Sequence, residues 1–97
     1  MAARTQAVAT LKIDEPYVRA TEYRFAPGAE TGWHRHPHDY VIVPLLDGQL
    51  TLEQPDGSST IAELLTHQPY ARAAGVEHNV INSSSYEFAF LEIELLR

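Results

Sequence analysis

The sequence predicts an all-β domain, a sandwich or barrel built from short antiparallel strands. Apolar and polar side chains alternate through most of the chain, turn residues recur at short intervals, and no segment is long enough for a crossover helix. Such strands bury one face each, and closure limits their exposed edges. The 97 residues suffice for one domain, residues 1–97. We expect roughly eight or nine strands.

The first two strands precede residue 26. Residues 7–13 alternate like a strand, Pro16 breaks the chain, and residues 17–25 (YVRATEYRF) place Tyr23 and Phe25 on one face. A barrel of this size buries a modest core. We therefore predict a two-fold homodimer, in which the N-terminal strand extends the sheet of a second copy.

Turn residues divide the middle of the chain. Residues 41–46 (VIVPLL) form a short apolar run, in which Pro44 indicates a bulge or a sheet edge. The segments 49–54 and 59–64 flank a Pro-Asp-Gly turn and predict a hairpin. One short helical turn is expected at residues 62–65.

The last segment, residues 86–96, predicts one long strand. Glu92 and Glu94 alternate there with Leu91, Ile93 and Leu95, which gives one acidic and one apolar face. The pattern is typical of an ordinary amphipathic strand. We therefore expect no catalytic role for these glutamates.

Composition and charge exclude several classes of function. The net charge of −6 and the dispersion of the seven basic residues oppose binding to nucleic acid or to an anionic membrane. The chain contains no cysteine, which excludes disulfides, thiolate nucleophiles and sulfur ligands. No apolar stretch approaches the roughly 18 residues of a membrane span. Residues 1–10 lack the apolar run of a secretory signal, so we expect a cytoplasmic protein.

Three of the five histidines lie in the segment 33–40 (WHRHPHDY). His34 and His36 point the same way if this segment is a strand, so their imidazoles converge. Neutral imidazole is the commonest protein ligand for zinc, iron, copper and nickel. His78, far downstream in GVEHNVIN, could supply a third ligand. A lone histidine is more often a surface or hydrogen-bonded core residue.

The residues around these histidines resemble the two motifs of the cupins, small double-sheet jelly-roll barrels that commonly hold a metal. The first motif, at about residues 28–48, is matched by Gly28, His34, His36 and Gly48. The second, at about residues 67–82, is matched at its end by Gly75, His78 and Asn82. The resemblance implies a single-domain cupin, an RmlC-like double-stranded β-helix. Its two motifs independently nominate His34, His36 and His78 as ligands of one divalent transition metal: iron, zinc, nickel or manganese.

The chain also departs from the motifs. Tyr40 stands where the first motif has its glutamate, and His67 and Ala73 replace the first glycine and the proline of the second. Three histidines would then form a neutral set with positions open for water or substrate. Tyr40 could line the cavity, where it would hydrogen-bond a ligand, or bind the metal as phenolate. His38 shares the parity of His34 and could be a fourth ligand or a loop residue.

The runs PGAETGWHRHPHDYVIVPLLDG and GVEHNVIN resemble the short single-domain cupins associated with β-alanine degradation. This resemblance implies a small-molecule ligand, polar or carboxylate-bearing, and a metal-dependent enzyme with dioxygenase-like chemistry ahead of isomerase or hydrolytic chemistry. Tyr40 would orient the substrate. Arg72 would either assist it, since a guanidinium can form two parallel hydrogen bonds with a carboxylate, or lie on the solvated surface. The alternatives are a non-catalytic binding or sensing cupin and a metal-free epimerase-like cupin, with histidine and tyrosine as acid and base.

Overall fold

The fold is all-β, as the sequence predicts. The computed structural model describes residues 4–96, which form nine strands and no helix. Consequently, no helix in this part of the chain could span a membrane. The strands are β1 (Val8–Glu15), β2 (Val18–Phe25), β3 (His34–Arg35), β4 (Tyr40–Pro44), β5 (Gly48–Glu53), β6 (Ser59–Leu64), β7 (Tyr70–Arg72), β8 (Glu77–Asn82) and β9 (Phe88–Leu95).

The strands pair into two antiparallel sheets. One sheet has five strands in the order β1-β2-β9-β4-β7, and the other has four in the order β3-β8-β5-β6. Most neighbours in these sheets are distant in sequence, as in a jelly roll. The segments that carry the histidines, β3 and β8, are therefore adjacent at one edge of the four-stranded sheet.

The core lies between the two sheets and is mainly aromatic. Phe25, Phe88 and Phe90 come from neighbouring strands of the larger sheet, and Phe25 contacts Phe90 with ring centroids 5.5 Å apart. Leu50 and Val80 face them from the smaller sheet. Because strand side chains alternate between faces, this row fixes which side of each strand points inward.

Several local predictions are confirmed, and one is wrong. β5 and β6 form the predicted hairpin, with Gly48 opposite Leu64, and Pro16 lies in the turn between β1 and β2. The expected helical turn at residues 62–65 does not form. Ala62 instead pairs with Leu50 as part of β6, because pairing with β5 satisfies the backbone groups that a lone turn would leave open.

The β-bulge of the larger sheet does not lie at Pro44, where the sequence indicated a bulge or a sheet edge. Pro44 is the last residue of β4 and pairs with Phe90, beyond the stretch of β4 that β7 covers. Its missing N–H therefore removes no bond to β7. The register shifts instead in β1, between Leu11 and Ile13, on an edge strand where such irregularities are common.

Candidate metal centre

Two strands from distant parts of the chain bring the three histidines together. β3 pairs with β8 so that His34 lies directly opposite His78. His36 follows β3, and its backbone N–H donates to the Val76 carbonyl (2.8 Å) while its own carbonyl accepts from the Gly75 N–H (2.8 Å). Gly75 has a φ of 100°, a value that an L side chain rarely adopts. The turn at Gly75 thus fixes His36 next to His78.

The three imidazoles converge on one point. His36 Nε2 lies 3.0 Å from His34 Nε2 and 3.1 Å from His78 Nε2. Two nitrogens bonded to one ion at about 2.1 Å, at right angles to each other, are about 3.0 Å apart. His34, His36 and His78 form the group of potential ligands whose atoms lie within 4.8 Å of one another. The donor set and its spacing therefore fit a single transition-metal ion.

The tautomer of His34 suits this geometry. Its Nδ1 lies 2.8 Å from the Gly32 carbonyl, to which it donates, so its Nε2 carries the lone pair. Gly32 is held in turn, since its N–H donates to Asn79 Oδ1 (3.0 Å). Asn79 is 1% exposed and also donates to the carboxylates of Glu30 and Glu53. Sequence reasoning missed this outer support, because a buried asparagine carries no motif.

Burial keeps His36 and His78 neutral. It lowers the pKa of His36 to about 4 and that of His78 to about 3, and repulsion from His34 and Arg72 acts in the same direction. A metal binds only the unprotonated imidazole. At neutral pH these side chains are therefore already in the form that ligates.

Tyr40 and His38 lie outside the cluster. The Tyr40 ring stacks on His36 with a centroid distance of 3.8 Å and is 2% exposed. Tyr40, like His36 itself, is not among the residues that line the cavity next to the cluster. Burial raises its pKa to about 12, so the phenol stays protonated at neutral pH. His38 lies near Ala74 and Leu95, in a separate depression.

A cavity of about 140 Å³ opens beside the histidines, between the two sheets. Its lining includes His34 and His78 on one side and Tyr23, Tyr70 and Arg72 on the other. Its apolar lining comes from Ile42, Leu50, Leu52, Val80 and Phe90. Arg72 contributes to this lining, although the residue as a whole is exposed. Among residues 4–96, no carboxylate lies within salt-bridge distance of its guanidinium.

Glu92 also lines the cavity, contrary to the expectation of an ordinary acidic surface on the last strand. It pairs with Ile42 of β4 and Thr21 of β2, so its side chain points inward and is only 10% exposed. Burial raises its pKa to about 7, and the neighbouring Glu94 adds to the shift. Its Oε1 lies 3.9 Å from His36 Nε2. Because His36 is neutral, this contact is no ion pair at neutral pH.

Other motif positions have structural roles. A Cβ atom at Gly48 would overlap the Phe88 ring, so this glycine is needed for space. His67, which replaces a motif glycine, has a φ of 61°, the left-handed conformation that glycine adopts readily. Asn82 is fully buried and binds backbone groups of Phe25, Ala26, Tyr86 and Ser84, as expected for a residue that closes a turn.

Two antiparallel sheets that enclose a three-histidine cluster define a cupin. A crystal structure of a cupin domain from Bordetella pertussis Tohama I has the same fold: it is 52% identical, with a TM-score of 0.93 and 98% of each chain covered. A cupin superfamily protein from Desulfitobacterium hafniense DCB-2 shares the fold at 16% identity, with a TM-score of 0.74 over 100% of this chain and 84% of the other. No protein-family model matches the sequence.

A curated relative makes the placement specific. The chain is 58% identical over 95 residues to the beta-alanine degradation protein BauB of Pseudomonas aeruginosa strain PAO1, covering 98% of this chain and 99% of that protein. The chain therefore belongs to the cupin superfamily and to the group of small cupins that includes BauB.

Proposed function

We propose that this cupin is a metal-dependent enzyme that acts on a small carboxylate, with dioxygenase-like chemistry ahead of isomerase or hydrolytic chemistry. The observation that carries the proposal is the convergence of three imidazoles at the wall of a cavity, where His36 Nε2 lies 3.0 Å from His34 Nε2 and 3.1 Å from His78 Nε2. Three facial ligands leave coordination positions open for a ligand.

The groups around the cavity would have three separate roles: metal chemistry, substrate binding and exclusion of water. When bound, a divalent ion would supply a Lewis acid and a site for oxygen chemistry. Arg72, whose guanidinium has no carboxylate partner within the described residues, would hold a substrate carboxylate through charge-assisted hydrogen bonds. Ile42, Leu50 and Phe90 would exclude water from the reacting end of the substrate.

The size of the cavity limits the substrate. Its volume of about 140 Å³ is close to the roughly 150 Å³ of an engineered protein cavity that binds benzene. A molecule with a handful of non-hydrogen atoms fits such a space. β-Alanine and the short carboxylates formed from it meet this limit, in keeping with the name of the 58% identical relative.

Elemental analysis of protein purified without chelators tests the metal requirement. We expect close to one equivalent of iron, zinc, nickel or manganese per chain, or uptake of one when these ions are supplied. A content below about a tenth of an equivalent, with no uptake, would remove the basis of the proposal.

Turnover separates the enzyme from its alternatives. Oxygen consumption and product formation are measured with β-alanine and related short carboxylates on the metal-loaded protein. A ligand that raises the melting temperature but is recovered unchanged would identify a binding cupin instead. Full activity of His34→Ala without metal would identify a metal-free epimerase-like cupin.

We also infer a homodimer formed through β1. All eight residues of this edge strand are exposed, including the apolar side chains of Val8 (64%), Leu11 (54%) and Ile13 (47%). Within residues 4–96, β1 pairs only with β2, so its other edge is open. A free edge on a two-fold axis can pair with its own copy in antiparallel register, and this makes a second copy the fitting partner.

Sedimentation tests this dimer. We expect a dimer at micromolar concentration, and a monomer for Leu11→Glu, while Ile61→Glu on the exposed face of β6 serves as the matched control. A wild-type monomer would disprove the inference. Like the dimer, the cytoplasmic location remains a prediction.

A further inference from the structure

The three histidine Nε2 atoms and the Glu92 carboxylate lie close together around one point, His36 Nε2. The Nε2 of neutral His34 carries a lone pair, because its Nδ1–H donates to Gly32, and it points at His36 Nε2 from 3.0 Å. His78 Nε2 approaches the same atom from 3.1 Å, and Glu92 Oε1 lies 3.9 Å from it. In the tautomers that bind a metal, each Nε2 atom carries a lone pair, and lone pairs that face each other at these distances repel unless a cation lies between them.

Within the described residues, 4–96, Glu92 has no cationic partner at neutral pH. Among residues 4–96 its carboxylate accepts no hydrogen bond, and no lysine or arginine nitrogen lies within 4.0 Å of it. Glu94, on the same face of β9, differs in this respect, since its Oε1 lies 3.6 Å from Arg19 Nη1. Ionising a carboxylate that is only 10% exposed and has no cationic partner is costly, and a positive charge nearby would offset this cost.

We propose that Glu92 is the positioning carboxylate of the metal centre: it supplies, from β9 and next to His36, the negative charge that three neutral imidazoles lack. This inference rests on the proposed metal site. Glu92 is not in the group of ligand atoms within 4.8 Å of one another, so it acts as a neighbouring countercharge and not as a fourth ligand. Tyr40, in the position of the motif glutamate, brings no charge, and Glu92 replaces that charge from another strand.

The test is zinc affinity, measured by titration calorimetry on metal-free protein with zinc ion as the probe. We expect Glu92→Gln to bind zinc about 10- to 100-fold more weakly than wild type, the usual effect of losing an outer-shell partner. Glu92→Asp, which keeps the charge, should recover most of the affinity. Glu94→Gln is the matched control, because it removes the same charge from the same face of β9, and it should stay within about threefold of wild type.

Thermal unfolding of the metal-free proteins provides a second readout. A merely structural role for Glu92 would lower the melting temperature of metal-free Glu92→Gln, whereas the proposed role leaves it equal or higher, because an unpartnered buried carboxylate is removed. Glu92→Leu, whose side chain suits the apolar lining, replaces Glu92→Gln if that variant does not fold, with the same expected loss of zinc affinity.

The outcomes separate the two proposals. If wild type binds no zinc, iron, nickel or manganese, the metal site itself is wrong. If wild type binds zinc and Glu92→Gln binds it equally well, only the role of Glu92 is wrong. An equal loss in Glu92→Gln and Glu94→Gln would also overturn it, because a general negative field would then explain both.

Discussion

The two walls of the cavity are built in different ways. On the four-stranded sheet, His34 and His78 are cross-strand neighbours, and backbone hydrogen bonds hold His36 beside them. On the five-stranded sheet, the polar groups come one at a time from separate strands: Tyr23 from β2, Tyr70 and Arg72 from β7, and Glu92 from β9. The first wall is a compact, motif-encoded ligand set, and the second is assembled only by the fold.

This difference in construction suits the two walls to different tasks, metal ligation and substrate recognition. Metal ligation needs several donors within about 2 Å of one ion, and short local segments can deliver this geometry. Recognition of a substrate needs groups spread over the length of that molecule, and distant strands provide this spread. Under the two proposals above, the histidine wall would hold the metal, Arg72 on the opposite wall would select the substrate, and Glu92 on that opposite wall would supply a countercharge to the metal.

The largest effect should come from the histidine wall. His36→Ala removes the imidazole that lies about 3 Å from both others, so metal content should fall from about one equivalent to less than about a tenth. His38→Ala is the matched control, because this histidine lies outside the cluster, and it should retain the metal. Elemental analysis measures both. Retention of metal by His36→Ala would refute the assignment of this wall.

A smaller effect is expected on the opposite wall. Arg72→Gln should weaken binding of short carboxylates about 10- to 100-fold, since a hydrogen bond to a charged group contributes roughly 1.5–3 kcal/mol. Metal content should not change. Arg35→Gln, an exposed arginine absent from the cavity lining, is the control. Titration of the metal-loaded protein with short carboxylates measures this affinity. Loss of metal in Arg72→Gln would show that Arg72 also supports metal binding.

The smallest effect is expected at Tyr40, which contacts the histidine wall from behind. Tyr40→Phe keeps the ring stacked on His36, so metal content should be unchanged and turnover should fall by less than about threefold. Elemental analysis and steady-state kinetics check this. A tenfold loss of turnover with metal retained would show that the hydroxyl contacts the substrate, as the sequence predicted.

Local sequence patterns predicted much of this protein. Alternation and turn residues predicted the hairpin of β5 and β6, the break at Pro16 and the long last strand. The motif spacing nominated His34, His36 and His78, and these are the residues that converge. These features were predictable because each depends on residues close in the chain, or on a spacing preserved in the motif.

Other features could not be read from the chain. The alternation of Glu92 with Leu91 and Ile93 gives two faces, but which face lies inside depends on pairing with β2 and β4, which are distant in sequence. Tyr40 was expected to face the cavity by parity, but its stacking on His36 depends on the irregular segment between β3 and β4 and was not predicted.

The sequence by itself determined the strands, the turns and the choice of the three clustered histidines, because alternation, turn chemistry and motif spacing act over short distances. Only the tertiary structure decided that an acidic strand face would be buried against the histidines and that Asn79 would hold the Gly32 loop. Both results depend on which strands become neighbours across the barrel. The packing of the whole core sets this strand pairing, so the pairing cannot be predicted from any single segment.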